Sequence, residues 1–316
     1  MPGQFKQRNA YAMSATDVSC TGSGWSIVTS APTNSQLAGL LAGFVFAAII
    51  LVLTQNGASP LRINTLRLFV AGSIVLALDS YAFSLLTGDV AEGVCSRIWT
   101  ESLMANGMLV VGAIAVISGL SWQLAAYIDE QAHSGAPGVS ESEQVNAMRS
   151  LGRLVRRSVY SITAMAIILF ANVAWDYTGV VFTGRPKPWW ASWVSPLYVL
   201  LVGASACIVA FRRQARVGSE NERVSTLSRS ALSVGFTFAV SYAVFGTAVI
   251  GFTASTPTSF WNPVPDVIAF TAVAVVLMMP VPTILTLIYA MPRPQVDAVA
   301  PEDPDRDAEP AATAGD

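Results

Sequence analysis

The chain has 316 residues, of which 53% are apolar and only 12% charged, and its formal net charge is -2. Soluble domains carry about 25% charged residues, so this composition excludes an ordinary water-soluble globule and makes the bilayer the natural solvent. The basic residues are sixteen Arg and only two Lys, Lys6 and Lys187, a bias expected of GC-rich bacterial coding, and the charge balance gives no reason to expect nucleic acid as a partner.

From the N-terminus, residues 1–35 hold Lys6 and Arg8 but no apolar core before the first long hydrophobic run, so no cleavable signal peptide is read there. The segment is rich in Ser, Thr, Gly and Ala and is expected to be an irregular, exported tail, with Asn34 or Ser35 capping the first helix. A helix needs about 20 apolar residues to cross a hydrocarbon core of roughly 30 Å. Seven such runs follow, over about 36–54, 66–86, 103–128, 159–182, 191–211, 232–254 and 266–290. The fold expected is therefore all-α, a polytopic seven-transmembrane-helix bundle spanning 36–290.

Arg and Lys concentrate on the cytoplasmic side of membrane proteins. The connections after helices 1, 3 and 5 and the C-terminal tail hold thirteen of the eighteen, against five (Lys6, Arg8, Arg97, Arg185 and Lys187) on the other side. A missed or invented span would break that alternation. It predicts the N-terminus outside, the C-terminus in the cytoplasm, and a plasma-membrane location in a bacterium. Seven of the eight tryptophans, Trp25, Trp99, Trp175, Trp189, Trp190, Trp193 and Trp261, fall at the outer end, as an interfacial aromatic belt would, and Trp122 falls near the inner one.

The longest connection, 129–158, starts with the turn-rich DEQAHSGAPG, where the single His133 reads as a solvated loop residue. It continues as an amphipathic stretch in which Ser140 and Glu143 have capping-box spacing and Val145, Met148, Leu151, Leu154 and Val155 recur at helical intervals between arginines. This part is expected to extend helix 4 at the headgroups, where it would suit anionic lipid or a partner subunit. The connection 212–231 behaves similarly, with a turn at Gly218–Ser219. Residues 291–316 are Pro/Ala-rich with seven acidic residues and two Arg, and are expected to form a disordered acidic cytoplasmic tail.

Ionisable residues inside spans are costly and mark functional candidates. Asp79 on helix 2, Glu101 and Asn106 on helix 3, and Asn172 and Asp176 on helix 4 all fall in the outer layer, and together would make an outward-opening acidic pocket for a cation or polar ligand. Asp79 is expected to face helices 3 and 4 rather than lipid. Pro280 and Pro282 must disturb the seventh helix, kinking or locally unwinding it. Gly107, Gly112 and Gly119 allow close packing around helix 3.

Cys20 and Cys95 both fall on the oxidising side and are expected to form a disulfide that closes the tail over the outer mouth of helices 2 to 4. Three Cys and one His leave no standard Cys/His metal set, and no metal or other cofactor is expected. No G-x-S-x-G, H-E-x-x-H or P-loop pattern occurs, so no catalytic residue is assigned. The topology is shared with microbial rhodopsins, but helix 7 has no Lys for a retinal Schiff base; it is also shared with the sugar-transporting SWEET proteins, whose internal repeat is not evident here. The expected function is a non-catalytic receptor-like or accessory subunit. It would meet lipid and other membrane subunits through its outer loops or cytoplasmic basic helices. The alternative is a small-molecule or cation transporter or channel using the acidic pocket.

Overall fold

The computed structural model describes residues 20–22, 25–54, 59–88, 95–134, 141–215, 221–261 and 263–291. The start of the expected tail, the turn at Gly218–Ser219, Ser140 and the acidic stretch beyond Met291 lie outside the described residues, as do the side chains of Glu143, Val145 and Met148. The described chain is helical apart from one short hairpin, β1 (Thr21–Gly22) paired antiparallel with β2 (Trp25–Ser26). The helices are α1 (Ile27–Thr54), α2 (Pro60–Gly88), α3 (Cys95–Ser134), α4 (Glu141–Val181), α5 (Trp189–Ala215), α6 (Asn221–Ser255), α7 (Asp266–Met278) and α8 (Pro280–Ala290). With α7 and α8 taken as one span, seven helices are long and apolar enough to cross a membrane.

The ends of several elements differ from expectation. Helix 1 begins at Ile27, not after Asn34 or Ser35, because Ser26 accepts a hydrogen bond from the Thr29 N–H at 3.4 Å and so caps the helix nine residues earlier. Ser35 instead stitches α1 to α2. Its hydroxyl lies 2.9 Å from the Ser80 carbonyl and 2.8 Å from the Ser84 hydroxyl, and Ser80 returns a bond to the Ser35 carbonyl at 2.9 Å. At the far end of α3 the helix runs on through Asp129–Ser134, so the backbone of His133 is in a helical turn rather than a loop. Nothing in that stretch interrupts a helix before Gly135 and Pro137, and Glu130 forms an ion pair with Arg62 that ties α3 to α2. The amphipathic stretch after residue 140 is continuous with the fourth span in one helix of 41 residues.

The seventh span is kinked rather than unwound. Met279 keeps helical angles (φ -63°, ψ -38°) and its N–H still reaches the Val275 carbonyl at 3.0 Å. Pro280 opens α8, where a missing N–H is tolerated.

α3 is the central helix, in contact with α1, α2, α4, α6, α7 and α8. Its closest approach to α2 runs through glycines: a Cβ on Gly112 would stand 2.8 Å from Leu76, and one on Gly119 only 2.6 Å from the Phe69 ring. Lipid tails are as apolar as these side chains, so close backbone approach and van der Waals packing, not water exclusion, drive the association of the spans. α1 and α5 are peripheral, with most of their apolar side chains, such as Phe44, Leu51, Leu200 and Phe211, turned outward.

Candidate functional site

The end of the bundle carrying the hairpin concentrates the polar side chains singled out in the sequence. Cys20 and Cys95 are joined there at a Cα separation of 5.1 Å, fixing the hairpin to the first turn of α3. Two indole groups complete the attachment. Trp25 donates to Asp176 Oδ2 at 2.8 Å, and the buried Trp99 donates to the Cys20 carbonyl at 2.9 Å, with the two rings edge to face at 5.3 Å. The rest of β1 lies against α4. The segment read as an irregular tail is thus, from Cys20 onward, a strapped hairpin.

This arrangement corrects the aromatic belt. Trp175, Trp189 and Trp193 are exposed as a belt requires, but Trp99 and Trp261 are buried and Trp25 is half-buried. Their N–H groups find protein acceptors, Trp261 using the Thr256 hydroxyl at 2.6 Å, and an indole with an internal partner has no need of the headgroup region.

The five candidate ligand residues do not converge on one point. Glu101, 1% exposed, lies 3.8 Å from Arg97 one turn earlier on α3 and accepts a bond from Thr253 of α6 at 2.9 Å. Asn106 donates to the Ser102 carbonyl at 2.8 Å, within its own helix. Asp176 holds Trp25. Asn172, one turn from Asp176, is on the exposed face of α4. Residues four apart are displaced by about 40° around a helix, enough here for the two to fall on opposite sides of the buried boundary.

Asp79 differs from the other four. It is 0% exposed, turned away from the lipid-facing surface as expected, and neither carboxylate oxygen has a hydrogen-bond partner among the described residues. A phenol of α6 stands in its neighbourhood. Tyr242 is within electrostatic range of both Asp79 and Tyr198 of α5. The Tyr242 and Tyr198 hydroxyls are likewise buried without hydrogen-bond partners among the described residues. Gly107 makes room for this group: a Cβ there would fall 2.0 Å from the Tyr242 oxygen and 3.1 Å from Phe170, whose ring packs edge to face with Tyr198 at 6.1 Å. Sequence reasoning missed both tyrosines, although each is a phenol in an otherwise apolar stretch of span.

No protein-family model matches the chain, and comparisons with curated proteins and with solved structures find no match. The site must therefore be read from its own chemistry. The carboxyl of Asp79 and the phenol hydroxyls of Tyr198 and Tyr242, on α2, α5 and α6, are oxygen groups alone. Among the described residues no group of three or more His, Cys, Asp or Glu is placed to hold a metal ion. On the opposite end, Ser150, Leu151, Arg153, Leu154 and Arg157 of α4 line an open cleft of about 600 Å³ that combines guanidinium groups with exposed leucines.

Proposed function

We propose that this chain is a non-catalytic, receptor-like or accessory component of a bacterial plasma membrane, with the hairpin end outside and the arginine-rich end in the cytoplasm. The observation that carries the reading is the spending of the hairpin-end polar groups on the chain's own architecture: Asp176 on Trp25, Glu101 on Arg97 and Thr253, Cys20 on Cys95. A surface built in this way is rigid and preorganised, which favours recognition by lowering the ordering cost of binding. The orientation draws on the same feature, since disulfides persist in oxidising compartments, and on the thirteen basic residues assigned to the other side.

A second reading, a cation transporter, is favoured by Asp79 and its two unpartnered oxygens. Against it, hydroxyl groups of α6 that would extend a polar route toward the arginine end, Thr237 and Ser241, are on its exposed face, and Thr237 already bonds the Ser233 carbonyl at 3.1 Å.

The two readings separate in one experiment on the purified full-length chain. In proteoliposomes, the receptor-like reading expects no flux of protons, Na+ or K+ above empty vesicles. In intact cells, a photoreactive residue at the exposed Thr21 should cross-link a ligand or partner, and the adduct should be lost when Cys20 and Cys95 are both replaced by Ser. Cation flux abolished by Asp79→Asn would overturn this reading in favour of transport.

A further inference from the structure

The face of α4 that points away from the bundle carries a repeating pattern that no other described part of the chain covers. Leu154, Ser158, Ser161, Met165, Ile168, Asn172 and Trp175 are separated by alternating steps of four and three residues, and all seven are exposed. An alternating four-three spacing averages 3.5 residues per turn, the period that keeps one stripe of a helix facing a second helix along a left-handed crossing. α3, α5, α7 and β1 occupy the other sides of α4.

Asn172 makes this stripe more than a lipid-facing surface. It lies nine residues, about 14 Å at 1.5 Å per residue, from the end of α4 at Val181, and one turn deeper than Trp175 on the same face. Among the described residues nothing hydrogen-bonds to its carboxamide. One turn below an interfacial tryptophan water is scarce, and a carboxamide without a partner gains from an interhelical hydrogen bond.

We propose that this stripe is a self-association surface, through which two copies of the chain pair side by side with Asn172 of each at the contact. The occupant follows from the chemistry of the group and from the membrane. Two copies share one orientation in the bilayer, so their α4 helices run parallel, and about a two-fold axis each residue of the stripe meets its own copy. A carboxamide both donates and accepts, so Asn172 is complementary to itself in that arrangement, whereas a carboxylate or a guanidinium would repel its copy. Ser158 and Ser161 are small enough to admit close approach of the backbones toward the arginine end of the stripe. Beyond them Arg153 and Arg157 flank Leu154, so that like charges limit the contact to the stretch from Ser158 to Trp175.

The test uses the full-length chain in native membranes with the exposed Cys207 replaced by Ser. Single cysteines at Ser161, Met165 and Ile168 are compared with one at Ile162, which is also exposed but about 90° around the helix from the stripe. Oxidative cross-linking into a dimer of the chain at the three stripe positions, and not at Ile162, is the expected result. In nanodiscs, Asn172→Leu should weaken dimerisation roughly 3- to 20-fold, the range of interhelical hydrogen bonds in membranes, while Asn172→Gln retains most of it. Dimer formation at Ile162 equal to that at the stripe, no dimer at any position, or cross-links from the stripe only to a different membrane protein would each overturn pairing of two copies.

Discussion

Asp79 and Asp176 are both acidic residues buried near the hairpin end, yet they relate differently to the rest of the chain. Asp176 accepts the Trp25 N–H at 2.8 Å, while both oxygens of Asp79 lack a hydrogen-bond partner among the described residues. A hydrogen bond to a charged group is worth about 1.5–3 kcal/mol, whereas replacing a buried polar group that makes none by an apolar one of similar shape is neutral or stabilising. Asp79→Leu is therefore expected to leave the melting temperature in detergent unchanged or raised, and Asp176→Leu to lower it. Thermal unfolding of both variants checks this, and an equal loss from the two would mean that Asp79 supports the fold. The contrast was not readable in the sequence. Position along a helix follows from residue number, so the shared depth of the five candidates was legible, but the direction around the axis was not. Asn172 and Asp176 straddle the edge of the buried face, and the two tyrosines near Asp79 are more than 100 residues away in sequence.

Helix packing around α3 depends on side chains that are absent. At Gly107 a methyl group would lie 2.0 Å from the Tyr242 oxygen, a separation that forces the phenol to move. Overpacking of this kind costs about 1–3 kcal/mol, so Gly107→Ala is expected to destabilise the chain. Adding Tyr242→Phe removes the offending oxygen and should restore part of the loss. A double-mutant cycle by thermal unfolding measures the coupling, and strictly additive effects would contradict the contact. The seven apolar helices were legible because length and hydropathy suffice to identify them. Their ends were less so. Helix 1 gains nine residues because Ser26, held beside Trp25 in the hairpin, supplies a cap that only the tertiary attachment makes available. α3 gains a turn beyond the apolar run because helix-forming polar residues carry no hydropathy signal. The kink at Pro280 was legible, but the survival of the Met279 bond that keeps the helix wound was not.

The molecule as a whole is divided between two unlike ends. One carries the disulfide-anchored hairpin and most of the tryptophans, and the other carries the arginine-lined cleft of α4 and the Arg62–Glu130 pair. The proposed function, the oxidised cysteines and the parallel pairing of two copies all require that every chain be inserted with the same end outside. The most direct test is a pair of fusions to the full-length chain in intact cells. A reporter active only in the cytoplasm, placed after Asp316, should be active, and an epitope placed before Met1 should be accessible to antibody without permeabilising the cells. An inactive reporter together with a protected N-terminal epitope would contradict the orientation and the receptor-like reading built on it.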